Sequence, residues 1–178
     1  RSLGKFLELN TATVEEYLDH LRDAYLFLPV HHFDYSLKTR YVHPRKVYCI
    51  DTGLRNSMSF RFSEDSGRLM ENLVFLHLLG SGEIYYWKDG KGEVDFVVKE
   101  GLSVTRLVQS CFDLSEARTR RREEGALLRA MKQFGLERGT VVTWDEEGED
   151  RTEGGVIEYR PLWRWLLEDD PLARPRAA

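Results

Sequence analysis

The sequence contains little of what marks several large classes of protein. Two cysteines among 178 residues are too few for the dense disulfide framework of small secreted domains. Cys49 and Cys111 both lie in apolar, strand-like segments, so we expect buried free thiols and a reducing, cytoplasmic environment. No apolar run approaches the length of a membrane span and no signal peptide is visible, which predicts a protein without a membrane partner.

An excess of positive charge is also missing, since 30 acidic residues stand against 26 basic ones and the net charge is −4. Any binding of a polyanion therefore depends on a local basic patch. No Gly-x-x-x-x-Gly-Lys-Ser/Thr loop occurs, so this chain is not expected to bind ATP by that route. The length suits one ordinary domain, or one domain with a small appendage. The chain begins at Arg1, and we expect it to be part of a longer protein.

The first third of the chain predicts a partial winged helix, residues 1–55 with the linker. A short helix over 3–9 and a second helix over 14–25, capped by Thr13, precede strands over 27–33 and 40–50. Helix, turn, helix and two-stranded ribbon is the plan of a winged helix that lacks its first helix. The would-be recognition helix is acidic and would repel phosphates. Packing duty and contact with nucleic acid through the more basic ribbon both remain open.

The remaining chain predicts an α/β domain over 56–170, with a central mixed sheet flanked by helices, and a flexible tail over 171–178. Its elements come in the order helix, strand, strand, strand, helix and strand, over 67–79, 83–87, 94–99, 104–113, 116–134 and 140–144. A polar loop over 145–155, a strand over 156–159 and a helix from Pro161 to Leu167 complete it.

Two isolated carboxylates in apolar surroundings are the most informative feature of the sequence. Asp95 interrupts the apolar strand 94–98, and Glu71 stands on a largely apolar helix. Burying a carboxylate is costly unless something pairs with it, and a metal ion would do so. Carboxylates are hard oxygen ligands suited to Mg²⁺ or Mn²⁺, which polarise a phosphate and generate hydroxide. Taken singly, Asp95 also fits a strand-end cap, and Glu71 fits a solvated helix position.

This layout resembles the αβββαβ core of the PD-(D/E)XK (restriction-endonuclease-like) nucleases, in which Glu71, Asp95 and Gln109 would be the catalytic and metal-binding positions. The whole chain is similar to the C-terminal region of a family of prokaryotic AAA-type P-loop ATPases, which carry an ATPase module, a winged helix and a PD-(D/E)XK-like domain. The resemblance is carried by Glu-Asn-Leu-Val-Phe at 71–75, Glu-Val-Asp-Phe-Val-Val at 93–98, and the segments 13–18, 46–54 and 107–114. It implies a metal-dependent deoxyribonuclease-like domain, with DNA and the absent ATPase module as partners.

The third motif departs from the nuclease pattern. The superfamily has Glu-x-Lys where this chain has Gln109-Ser110-Cys111. The thiol of Cys111 cannot replace the lysine that holds the attacking water, and arginine is a poor base. We therefore expect weak or absent cleavage of DNA, and robust cleavage would need a base relocated from elsewhere, such as Lys91 or Lys99. The alternative is a non-catalytic interaction or DNA-binding module that docks the ATPase or a partner protein.

Two groups of basic residues are candidates for contact with nucleic acid. They are the helical run Arg118, Arg120, Arg121 and Arg122, and the ribbon residues Arg40, Arg45 and Lys46. The run opens a helix, where free N–H groups and guanidinium groups together could grip a phosphate. It fits equally well a solvated face on which the arginines pair with Glu116, Glu123 and Glu124. The five histidines show no metal-ligand spacing.

Overall fold

The structure is a computed structural model that describes residues 2–58 and 66–168. Its helices are α1 (Ser2–Leu7), α2 (Thr11–Asp23), α3 (Leu37–Val42), α4 (Thr52–Met58), α5 (Ser66–Leu78), α6 (Ala117–Phe134) and α7 (Leu162–Glu168). Its strands are β1 (Phe27–His32), β2 (Lys46–Cys49), β3 (Glu83–Lys88), β4 (Glu93–Glu100), β5 (Ser103–Ser110), β6 (Arg138–Thr143), β7 (Gly148–Thr152) and β8 (Gly155–Pro161).

The strands in these ranges join into one mixed sheet of eight, in the order β2-β1-β3-β4-β5-β6-β8-β7. Strands β5, β6 and β8 run parallel to one another, and β1 runs parallel to β3. The other neighbouring pairs are antiparallel. The first four residues of β1 pair with β2, whereas its last two residues pair with β3. Strand β1 therefore connects β2 to the other strands of the sheet.

Each face of the sheet buries its own apolar core, as expected when helices cover both faces. Phe96 and Val108 point towards Phe75 of α5 and Trp165 of α7. The alternate positions of the same strands, with residues of β6 and β8, pack against α6 (Val97, Leu107, Val141, Ile157 and Leu127). Helix α6 ends at Gly135, whose left-handed φ of 70° and N–H bond to Met131 form its C-cap. The period-2 pattern of the strands thus fixes which residues face which helix.

The mixed α/β prediction is confirmed, and so is the order helix, strand, strand, strand, helix and strand, now α5 through β6. Both cysteines are free thiols, and the prediction that they are buried is confirmed for Cys49 but not for Cys111, which is half-buried. None of the described helices is long and apolar enough to cross a lipid bilayer.

Three local predictions are wrong. Residues 40–50 do not form one strand, because Arg40 belongs to helix α3, where its Nε donates to the carbonyl of Asp34 (2.6 Å). The loop predicted over 145–155 contains β7, an edge strand exposed at every position, so no alternation of apolar residues marked it. Helix α2 is capped by Asn10 rather than Thr13, since the Asn10 side chain accepts the Thr13 N–H at 2.8 Å.

The two predicted domains are in contact across their boundary. Strands β1 and β2 from the first part continue the sheet of the second part. Tyr48 on β2 stacks on Phe75 of α5, with ring centroids 4.4 Å apart. The division near residue 55 stays a prediction, and residues 59–65 and the predicted tail over 171–178 lie outside the described residues.

Candidate functional site

One lysine joins the acidic residues of the predicted site. Lys46 Nζ lies 2.7 Å from Asp95 Oδ1, 2.8 Å from Glu93 Oε1 and 3.1 Å from Glu71 Oε1. These four residues are called the Lys46 cluster below. Three carboxylates around one ammonium leave an excess of negative charge, and Tyr48 supplies a further donor, its hydroxyl lying 2.6 Å from Glu71 Oε1. The structure therefore brings Glu71 and Asp95 together through a cation from β2.

The fold positions the cluster with paired hydrogen bonds between elements. Asn72, next to Glu71 on α5, accepts the Cys49 N–H and donates to the Cys49 carbonyl, both at 2.8 Å. This buried clamp fixes β2 against α5, so that Lys46 and Tyr48, two positions apart, both reach Glu71. On β4, Asp95 Oδ2 accepts the Ser110 N–H at 3.0 Å. The Asp95 carboxylate is thus held between the main chain of β5 and the Lys46 ammonium.

Burial and charge set the protonation of the cluster. Burial raises the pKa of Asp95 to about 7, against the opposing effect of the Lys46 ammonium. Burial would lower the pKa of Lys46, but the carboxylates of Asp95 and Glu71 outweigh it and raise that pKa. Burial likewise disfavours ionised Glu93, yet its bond to Lys46 keeps its pKa below the ordinary value. Lys46 is therefore a permanent cation, and Asp95 titrates near neutral pH.

The Gln109 side chain contacts other groups than Glu71 and Asp95 do. Its side-chain oxygen accepts the main-chain N–H of Asp95 at 3.1 Å, and its Nε2 donates to Glu123 Oε2 at 2.7 Å. Glu123, buried on α6, also pairs with Arg122 at 2.5 Å. The amide of Gln109 therefore ties β4 and β5 to α6, and its oxygen is engaged by the backbone beside Asp95.

The donor set as arranged does not fit a divalent metal ion. Within residues 2–58 and 66–168, no group of three or more His, Cys, Asp or Glu side chains is placed to hold one. Mg²⁺ and Mn²⁺ need several oxygen ligands converging on one point. Here that point, between Asp95 and Glu71, is taken by the Lys46 ammonium, which already compensates part of their charge.

A pocket of about 480 Å³ opens beside the cluster. Lys46 and Glu93 form part of its wall, so the cluster borders on solvent there. The other lining residues are His43, Pro44, Arg45, Tyr86, Lys88, Asp89 and Gly90. The basic residues of this wall pair with carboxylates, Lys46 with those of its cluster, Lys88 with Glu93 and Arg45 with Glu15.

The arginine run of α6 is partly used by the protein itself. Arg120 Nη2 lies 2.7 and 2.6 Å from the two carboxylate oxygens of Glu146, and its guanidinium lies over the Tyr159 ring. Arg122 pairs with Glu123. Arg118 and Arg121 are exposed, although Arg121 Nε donates to the Ala117 carbonyl of its own helix.

The basic residues of the predicted ribbon also contact other side chains of the protein. Arg40 lies over the Tyr85 ring at 5.0 Å, and Arg45 Nη2 is 3.9 Å from Glu15 Oε1. Lys46 lies in its cluster. Of the two lysines considered as a relocated base, Lys99 pairs with Glu83 at 2.5 Å, and Lys91 lies between β3 and β4.

Sequence reasoning missed the pairing of Lys46 with the carboxylates. The available signal was the alternation Lys46-Val47-Tyr48, which puts a cation and a hydroxyl on one face of a strand. Nothing in the spacing shows that this face meets Glu71, 25 positions later in the chain.

Comparisons with known proteins give relatives without a described activity. A family model described as a domain of unknown function (DUF8612) matches residues 1–65. The uncharacterized protein MJ1544 of Methanocaldococcus jannaschii is 34% identical over 179 residues, which cover 90% of this chain and 38% of that protein. An uncharacterized protein of Haemophilus influenzae is 29% identical over 105 residues, covering 58% of this chain and 26% of its own. The chain thus spans well under half the length of these relatives, and no solved structure matches it.

Proposed function

We propose that this chain is a nuclease-like module of a longer protein, with weak or no hydrolytic activity on DNA. The observation that carries the proposal is the placement of Lys46 Nζ within 3.1 Å of both Glu71 and Asp95. The order of elements from α5 to β6 supports a PD-(D/E)XK-like core. The resemblance to the C-terminal region of AAA-type P-loop ATPases supplies the proposed neighbour, an ATPase module on the same protein.

The weak-activity part of the proposal rests on the groups that a metal-dependent nuclease needs. The third motif lacks both its acid and its lysine, and the Gln109 oxygen is engaged by the Asp95 N–H. The Lys46 ammonium provides positive charge at the place where a metal ion would otherwise provide it. Loss of one charge-stabilising group typically costs a factor on the order of a hundred in rate. Loss of the metal-binding arrangement adds to that cost.

A second candidate is a non-catalytic module that docks the rest of its protein or a partner. It is favoured by the apolar side chains exposed near the start of the chain, where α2 buries none of its residues. Phe6, Tyr17 and Tyr25 are 83%, 60% and 74% exposed. Exposed aromatic residues are enriched at interaction surfaces. The greater length of both relatives fits such a role.

The test compares metal binding and DNA cleavage in matched variants. Wild-type protein should bind Mn²⁺ weakly or not at all in calorimetric titrations, and should not cleave plasmid or single-stranded DNA above the level of Asp95→Ala. Lys46→Met removes the competing cation, so it should gain Mn²⁺ binding, and Lys46→Met/Asp95→Asn should lose it again. Lys88→Met, which removes a more exposed lysine of the same pocket, is the matched control and should behave as wild type.

Two results would overturn the proposal. Robust metal-dependent cleavage, abolished by both Asp95→Ala and Lys46→Met but not by Lys88→Met, would make Lys46 the relocated lysine of an active nuclease. Failure of Lys46→Met to gain Mn²⁺ binding, in protein that is shown to be folded, would remove the nuclease-like basis and favour the docking module.

A further inference from the structure

Two aromatic side chains form an exposed pair where neighbouring parallel strands end. Ser110 of β5 is level with Val142 of β6, so Phe112 and Trp144, each two residues later, follow the strands at the same height. Their ring centroids are 5.1 Å apart with an interplanar angle of 31°. Phe112 is 37% exposed and Trp144 is 54% exposed. A tryptophan this exposed, packed on a second aromatic ring, is a common anchor of protein interfaces.

Each of these aromatic residues is followed by an aspartate. Asp113 follows Phe112 and Asp145 follows Trp144, and both aspartates are exposed. The Asp113 carboxylate accepts the Ser115 N–H at 2.7 Å, which lowers its pKa and keeps it ionised. The aromatic pair is therefore edged by two carboxylates, one at the end of each strand.

The loops that follow β5 and β6 carry further charged side chains. Glu146 is paired with Arg120, and Glu147 is paired with Arg164. The charged residues left in the two loops after these strands are Asp113, Glu116 and Asp145, all acidic, whereas the nearby cations Arg118 and Arg121 lie on α6 and Arg68 follows Gly67, which lies beside Phe112. A cation placed against the Trp144 ring would therefore be attracted by the carboxylates of these loops.

The same surface already contains one example of the chemistry that such a cation would use. The Arg164 guanidinium lies 5.2 Å from the centroid of the Trp163 ring and pairs with Glu147. Trp163 comes soon after β8, the strand beside β6, and is 56% exposed. An arginine placed over an indole and paired with a carboxylate gains both cation–π and charge-assisted contacts.

We propose that Phe112 and Trp144, with Asp113 and Asp145, form a docking surface for an arginine-bearing segment of a partner protein. A partner guanidinium stacks on Trp144 and pairs with Asp145, as Arg164 does within the chain on Trp163 and Glu147. This inference goes beyond the proposed function, because it concerns a different group of side chains and holds whether or not the Lys46 cluster can cleave DNA.

The test uses a fluorescently labelled peptide of alternating arginine and glycine, with a matched peptide in which uncharged citrulline replaces each arginine. Fluorescence anisotropy at low salt should detect the arginine peptide and at least tenfold weaker binding of the citrulline peptide. Trp144→Ala should weaken arginine-peptide binding about tenfold, and Asp145→Asn should weaken it severalfold. Trp163→Ala is the matched control, because the Trp163 ring, equally exposed, already has the Arg164 guanidinium of its own chain against it, and it should change the affinity less than twofold.

Circular dichroism and thermal melting establish that each variant is folded before its affinity is compared. The proposal is overturned if the arginine peptide does not bind, if the citrulline peptide binds equally well, or if Trp163→Ala weakens binding as much as Trp144→Ala. A labelled oligothymidylate tests the other class of partner. Tighter binding of that oligonucleotide, lost in Trp144→Ala, would replace the peptide by single-stranded nucleic acid and overturn the proposal.

Discussion

Lys46 and Asp95 stand 49 positions apart in the chain, yet the ammonium of one lies 2.7 Å from the carboxylate of the other. Lys46 comes from a short strand at the edge of the sheet, whereas Asp95 lies on a central strand. The contact turns an isolated buried carboxylate, which would be costly by itself, into part of an ion-pair network. Stability, pH response and any chemistry of this site all depend on it.

Replacing Lys46 by methionine should lower the free energy of unfolding by about 3 kcal/mol, since it leaves buried carboxylates without their counter-charge. Lys88→Met is the matched control, because Lys88 is 57% exposed and lies 3.4 Å from Glu93. It should change stability by no more than about 0.5 kcal/mol. Urea unfolding at pH 7 measures both variants. Equal stability of the two variants would show that the Lys46 ion pairs contribute nothing net.

Asp95 should contribute a loss of stability as the pH rises from about 4 to about 7. Burial raises its pKa to about 7 in the folded protein, whereas the unfolded chain releases the proton near pH 3.9. The folded state therefore holds a proton that the unfolded state has lost. The resulting contribution to stability is complete below about pH 4 and is lost towards pH 7, at up to about 1.4 kcal/mol per pH unit.

Asp95→Asn should remove that part of the pH dependence, because asparagine does not titrate. Urea unfolding of both proteins from pH 4 to pH 8 measures the difference. The carbon-13 resonance of the Asp95 carboxyl group gives its titration directly. A wild-type protein that gains stability relative to Asp95→Asn as the pH rises would show that Lys46 keeps Asp95 ionised throughout.

Placing a glutamate at position 109 should destabilise the fold. In Gln109→Glu the donor to Glu123 Oε2 is lost and two carboxylates face each other across 2.7 Å, which should cost roughly 2 to 3 kcal/mol at pH 7. Like-charge repulsion raises the pKa of such a pair, so the loss should shrink as the pH falls and one group takes up a proton. The exchanged variant Gln109→Glu/Glu123→Gln restores a donor and should recover most of the stability. If it recovers none, the Gln109–Glu123 hydrogen bond is not the cause.

Replacement of two neighbouring arginines of α6 by alanine should change the stability of the protein to different extents. Arg120→Ala breaks a two-oxygen contact with Glu146 and a stacking contact with Tyr159, and should lower stability by about 1 kcal/mol. Arg121 is exposed and bonds only weakly to its own helix, so Arg121→Ala should stay within about 0.5 kcal/mol of wild type. Thermal melts of the two variants decide this. A larger effect from Arg121→Ala would contradict the assigned pairing.

The sequence allowed the α/β class and the helix and strand order from α5 to β6 to be predicted, because the apolar periodicity of those segments is strong. Helix α3 and strand β7 were not predictable in that way. Helix α3 has only six residues, and besides the main-chain bond from Arg40 to Ser36 it is held by bonds of the Arg40 side chain to Asp34 and Tyr85. Strand β7 has only solvent-exposed side chains.

The site could be predicted only in part, because its contacts join segments that are distant in the chain. Isolated charge in apolar segments drew attention to Glu71 and Asp95, since such charges need a partner. It gave no information on the identity of that partner. Lys46 lies near these carboxylates only in the folded sheet, where one part of β1 pairs with β2 and the other part pairs with β3. The bonding of Gln109 to Glu123 depends in turn on the packing of α6.

The buried bonds between Asn72 and Cys49, and the partly buried bond between Tyr48 and Glu71, join two regions of the chain across residue 65. The part matched by the family model ends at residue 65, so the lysine and tyrosine of the cluster lie within it and the acidic residues lie beyond it. Recombination between these two regions would separate a cation from its carboxylates and open the clamp between β2 and α5. Exchange of either region for that of another protein should therefore destabilise the fold unless the contacting residues are exchanged together.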